Sequence, residues 1–114
     1  MFCIREGLVH DAVSREPYTA DIFVDDGVIK AMGEHLAVPE GTEEIDARGL
    51  SVYPGFVEAH GHIGLDGYGI GYEGQDYNEM GDILSPQLRG IDGIKPGDFA
   101  FREAAAAGVT CVCV

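Results

Sequence analysis

The chain changes grammar once, at Tyr53-Pro54-Gly55, and that change limits the folds open to it. Before that point, short apolar runs alternate with turn residues. After it come a short apolar run, a glycine-dense stretch, one helical run and one β-branched run. Short strands separated by turns predict an antiparallel sheet, or one part of a β-sandwich, for residues 1–53. Residues 54–114 read as strand, long loop, helix and strand, a single βαβ unit.

Within the first part, Phe2, Ile4, Leu8 and Val9 fit a strand broken near Glu6-Gly7 by a turn or bulge. Residues 20–24 and 28–32 are two strands joined by Asp25-Asp26-Gly27, and an Asp-Gly pair between apolar runs signals a tight hairpin. Residues 34–42 are turn-rich. Two further short strands, 43–47 and 50–53, flank Arg48-Gly49. In the second part, residues 56–63 form a strand. Between 61 and 74 there are six glycines, a density that removes regular structure and lets backbone approach a ligand closely. Asp98 is placed to cap a helix over 99–107, Gly108 to stop it, and Pro86 and Pro96 to punctuate the chain. The last six residues, Val109 to Val114, form a buried strand.

A run of 114 residues with 7 basic and 20 acidic side chains carries a net charge of −13. That balance repels nucleic acid and anionic membranes, and fits a cytoplasmic protein. No secretory signal is visible at the N-terminus, and no run reaches the ~20 apolar residues of a membrane span. The three cysteines are odd in number and not spaced as a disulfide framework. Cys111 and Cys113 read as small core residues, a thiolate metal site being the alternative.

His60 and His62 carry the chemistry. On a strand, residues two apart share a face, about 6–7 Å apart along the backbone, so both imidazoles can turn toward one ion. Glu58 lies on the same face. His10 and His35 read as solvated surface residues. Asp66, Glu73 and Asp76 can face a ligand or simply water. Asn78, Glu79 and Arg89 are candidate substrate-binding residues: the guanidinium of Arg89 suits a substrate carboxylate, or it pairs with Glu79 to pin the loop. No catalytic acid or base is identified.

The run Leu50-Ser51-Val52-Tyr53-Pro54-Gly55-Phe56-Val57 leading into His60-Gly61-His62 resembles the amidohydrolase superfamily. The residues Asn78-Glu79, Pro86, Leu88-Arg89, Asp92-Gly93-Ile94 and Ala107-Gly108-Val109-Thr110 are similar to imidazolonepropionase-related members. The resemblance implies a small β-sandwich-like domain flanking a metal-dependent (β/α)8 TIM barrel. His60 and His62 would then be metal ligands at the end of barrel strand one, on one or two divalent ions, with zinc the expected metal. It also implies a small-molecule substrate, with hydrolysis of C–N bonds in cyclic amides, N-acyl amino acids, ureas or amidines. The family pattern has aspartate where this chain has Glu58, which is expected to support the ligands from behind rather than bind the ion.

On this reading the barrel begins at residue 54 with strand one, a long loop, helix one and strand two. The final strand is left uncovered, as at the front end of something larger, so these residues alone are expected to be inactive. Uncovered strands also predict self-association or homo-oligomers. The competing reading is an acidic β-rich interaction module without catalysis.

Overall fold

The computed structural model describes residues 1–114, which divide into two compact units, Met1–Pro54 and Gly55–Val114. The first is a five-stranded sheet: β1 (Phe2–Val9), β2 (Tyr18–Asp25), β3 (Val28–Gly33), β4 (Glu43–Asp46) and β5 (Ser51–Val52). Its order is β3-β2-β1-β4, with β5 also on β1.

The hairpin between β2 and β3 is as tight as its Asp-Gly pair predicts. Asp25 pairs with Val28, leaving Asp26 and Gly27 at φ of 49° and 70°. Two left-handed residues in succession make the turn whose twist matches that of the strands it joins. The break expected near Glu6-Gly7 is a bulge: the register of β1 on β2 slips between Ile4 and Gly7, with Glu6 at φ 54°. A Cβ on Gly7 would stand 2.6 Å from Val52 Cγ2 and 3.3 Å from Ala47 Cβ, so glycine is what lets those side chains close over β1.

The sheet is mixed, which corrects the antiparallel expectation. β4 runs parallel to β1 along Phe2–Arg5, and β5 runs parallel to it at Leu8 and Val9. The turn between β4 and β5 falls opposite the bulge, with the Ala47 N–H donating to the Arg5 carbonyl at 2.9 Å. The physical reason lies in residues 34–42, long enough at about 3.3 Å each to lead the chain back to the end of the sheet where β1 starts. Beginning there, beside Phe2, β4 can only run the way β1 does.

Val9, Ala20 and Ile22 form the buried apolar cluster, with Ile4, Val24 and Val52 packed against it. Alternation puts Asp21 on the opposite face, where it is 3% exposed. Its carboxylate accepts from Arg5 Nη1 at 2.8 Å, the Glu6 N–H at 2.9 Å and the Leu36 N–H at 3.0 Å. Arg5 also donates to the Leu36 carbonyl at 2.7 Å and to Glu44. One buried carboxylate thus ties the bulge, β2 and the returning segment together. His10, expected at the surface, is half-buried: it stacks on Tyr53 at 4.3 Å, and its Nε2 is buried without a hydrogen-bond partner. His35 is exposed.

The second unit holds β6 (Phe56–Glu58), a 3-10 turn (Gly71–Gly74), the short helix α1 (Gly90–Gly93), α2 (Phe99–Ala106) and β7 (Val109–Val112). Asp98 caps α2 through a carboxylate that accepts from the Ala100 N–H at 2.9 Å, and Gly108 ends the helical run at φ 91°. β6 and β7 pair in parallel. A Cβ on Gly55 would come within 2.1 Å of Thr110 Oγ1, so the glycine permits this approach. Cys111 and Cys113 are exposed, against the expectation that both are core residues, whereas Cys3 is fully buried in the first unit. A two-stranded sheet with α2 as its neighbouring helix half-buries only Val109 and Val112 of β7. No helix is long and apolar enough to cross a membrane.

Candidate metal site

β6 is shorter than the strand expected over 56–63. It ends at Glu58, whose carboxylate Oε1 accepts from the backbone N–H of His60 at 3.0 Å and turns the chain out of the ladder. The pairing then resumes around Cys113, whose N–H donates to the Glu58 carbonyl and whose carbonyl accepts from the Gly61 N–H, both at 2.9 Å. His60 and His62 therefore sit just past the carboxyl end of a parallel strand, not within it. Glu58 acts on the backbone of His60 rather than on either imidazole.

The ring centroids of His60 and His62 are 5.3 Å apart and their planes meet at 75°. Two imidazoles bound through nitrogens ~2.1 Å from one tetrahedral ion have centroids about 5 Å apart, so the spacing suits a shared ion. His60 is exposed and His62 half-buried. No group of three or more His, Cys, Asp or Glu side chains converges on one point. The pair fits as two donors of a site that needs at least one more protein ligand.

A cleft of about 700 Å3 opens beside the two histidines, lined also by Asp76, Tyr77, Asn78, Glu79, Arg89, Asp92 and Cys113. Tyr77 stacks on His62 at 4.3 Å with planes 11° apart. Arg89 does not pair with Glu79, as one reading of the sequence had it. It is bidentate to Asp92, through Nε at 2.9 Å and Nη2 at 2.8 Å. A spacing of three brings the two side chains together across α1, whereas the carboxylate of Glu79 turns back on the Gly81 N–H. Asn78 donates to Met80 Sδ at 3.4 Å. Asp66 and Glu73 are exposed and do not line the cleft.

The glycine-rich segment is closed on itself at its neck. The His62 carbonyl accepts from the N–H groups of Leu65 and Asp66 at 2.9 and 3.1 Å, and the Asp76 N–H donates to the Leu65 carbonyl at 2.7 Å. Gly67 and Gly74 cross backbone to backbone: a Cβ on Gly67 would lie 2.9 Å from Gly74 Cα. Tyr77, Asp92 and Cys113 were not singled out for this site from the sequence. The arginine-plus-three spacing was a usable sign for Asp92, whereas Tyr77 and Cys113 arrive through loop closure and strand pairing.

No profile of a known protein family matches the chain. A dihydroorotase from Geobacter metallireducens is 38% identical over 109 residues, which are 96% of this chain and 20% of that protein. The crystal structure of an amidohydrolase from Thermotoga maritima superposes with a TM-score of 0.87 at 37% identity, over 98% of this chain and 29% of that one. A D-hydantoinase (dihydropyrimidinase) from a Thermus species matches with a TM-score of 0.50 at 42% identity, over 57% of this chain and 14% of that one. The chain spans a fifth or less of the length of the dihydroorotases it matches.

Proposed function

We propose a place in metal-dependent C–N bond hydrolysis for this chain, which belongs to the amidohydrolase superfamily as an N-terminal portion. Relatives named dihydroorotase and D-hydantoinase support hydrolysis of a non-peptide C–N bond, and in this reading the protein of which these residues are part acts on an amide, cyclic amide or amidine. In this reading residues 1–53 belong to the flanking β domain, and residues 54–114 open a (β/α)8 barrel with β6, the long loop, α2 and β7. Active sites in such barrels gather at the carboxyl ends of the strands, which is where His60 and His62 lie.

The observation that carries the proposal is the pair of imidazoles, 5.3 Å apart at the end of a parallel strand and facing a cleft. Two neutral histidines suit zinc or a similar divalent ion, and such an ion when bound lowers the pKa of water and polarises a carbonyl. The chain's own residues hold and orient. Glu58 fixes the backbone at His60. Arg89, already held by Asp92 through Nε and Nη2, can offer Nη1 to a substrate carboxylate, with Asn78 and Glu79 beside it on the cleft wall. The remaining donors and the catalytic base come from outside these residues, so the 114 residues alone are inactive.

The test is metal content by mass spectrometry of the protein expressed from its complete gene. The wild type should carry stoichiometric divalent metal, and His60→Ala or His62→Ala should lose most of it. Protein without divalent metal, or content indifferent to both substitutions, refutes the proposal.

A further inference from the structure

We propose that Tyr77 is a positioning residue for His62, its phenol ring setting the plane of the imidazole before any ion arrives; this rests on the reading of His62 as a ligand. The rotation of an imidazole about its last side-chain bond is broad and roughly two-fold, so a histidine with a fixed backbone still sweeps its nitrogens through a wide arc. The backbone of His62 is fixed, because its carbonyl accepts from both the Leu65 and Asp66 N–H groups. What selects the ring's orientation is the stack on Tyr77, 4.3 Å between centroids and 11° from coplanar. His60 meets the same ring at 75°, close to edge-on. One imidazole is thereby held on a face by Tyr77 and flanked by its fellow ligand.

The loop explains how a residue distant in sequence reaches that position. The segment 65–76 leaves from the His62 carbonyl and returns at the Asp76 N–H, which donates to the Leu65 carbonyl at 2.7 Å. Tyr77 follows immediately. Lys95 reinforces the closure, its N–H donating to the Gly64 carbonyl at 2.9 Å and its Nζ to the Gly74 carbonyl at 3.0 Å. The glycine crossing at Gly67 and Gly74 allows the neck to close that far. The glycine-dense stretch thus serves as a clasp that delivers an aromatic ring onto a ligand. Groups that orient metal ligands are known to control affinity as well as geometry.

The experiment compares Tyr77→Leu and Tyr77→Phe in the purified protein expressed from its complete gene. Tyr77 is 40% exposed, so neither change empties a core; circular dichroism confirms the fold. The His62 ring protons should show an upfield ring-current shift by NMR that Tyr77→Leu abolishes and Tyr77→Phe keeps. Zinc affinity by chelator competition should weaken about three- to tenfold in Tyr77→Leu, the range an aromatic stack supports, and stay unchanged in Tyr77→Phe. Unchanged His62 ring shifts in Tyr77→Leu overturn the proposal. So does unchanged zinc affinity in Tyr77→Leu while His62→Ala still weakens it. Affinity indifferent to His62→Ala itself is a different failure, that of the ligand reading.

Discussion

Replacing Asp21 with asparagine tests how the first unit is held together. The side chain is nearly isosteric, so the change removes charge and one acceptor while leaving volume alone. The carboxylate now serves Arg5 and the Leu36 N–H through Oδ2 and the Glu6 N–H through Oδ1. An asparagine carbonyl can keep the first two, but its NH2 then faces the Glu6 N–H, donor against donor. Breaking a fully buried ion pair costs about 3–5 kcal/mol. Here Arg5 keeps Glu44 and a side chain 21% exposed, which reduces the expected loss to about 2–4 kcal/mol. That is a large share of the ~5–15 kcal/mol that stabilises a typical domain. Native-state hydrogen exchange reads it locally: the Glu6 and Leu36 amides should exchange about thirty- to a thousandfold faster.

The same carboxylate dictates a direction in pH. Burial pushes its pKa up, but the Glu6 N–H, the Arg5 guanidinium and the Leu36 N–H together outweigh that and hold it below the ordinary 3.8. A carboxyl more acidic in the folded state stabilises fully above its unfolded value, and that stability is lost as pH falls through the folded value. Asp21→Asn should therefore flatten the acid limb of the stability profile below about pH 4 and shift the neutral plateau down. Unaltered protection at Glu6 and Leu36, with an unaltered acid limb, would refute this account of the network.

Two other outcomes follow from the described geometry. Ellman's reagent on the folded 114-residue chain should modify Cys111 and Cys113 quickly and Cys3 only on unfolding, because Cys3 is fully buried and its thiol pKa is raised by that burial; one fast phase for all three thiols contradicts this. Asp98→Ala should weaken the first turn of α2 by about 1 kcal/mol, read as faster exchange of the Ala100 amide, whereas Asp98→Asn should keep most of the cap; equal exchange in both variants would show the cap to be inert.

What could be read without coordinates is whatever a few neighbouring residues decide among themselves. Asp26-Gly27 specifies its turn because both positions must enter left-handed backbone, and Asp98 and Gly108 bound a helix by local hydrogen bonding and local conformational freedom. Glu6-Gly7 announces a bulge for the same reason. His60 and His62 were visible as a pair through type and spacing alone, although the strand that presents them ends earlier, where Glu58 takes the His60 N–H. Tertiary structure decided the rest. It made β4 and β5 parallel to β1 by where residues 34–42 deliver the chain, and it buried Asp21 by closing three donors over it. It also left Cys111 and Cys113 exposed on a two-stranded sheet, matched Arg89 with Asp92, and laid Tyr77 on His62. Each of these depends on which distant segments meet, and pairing between distant segments is settled by chain reversal, available edges and covered faces, none of which a local pattern of residues contains.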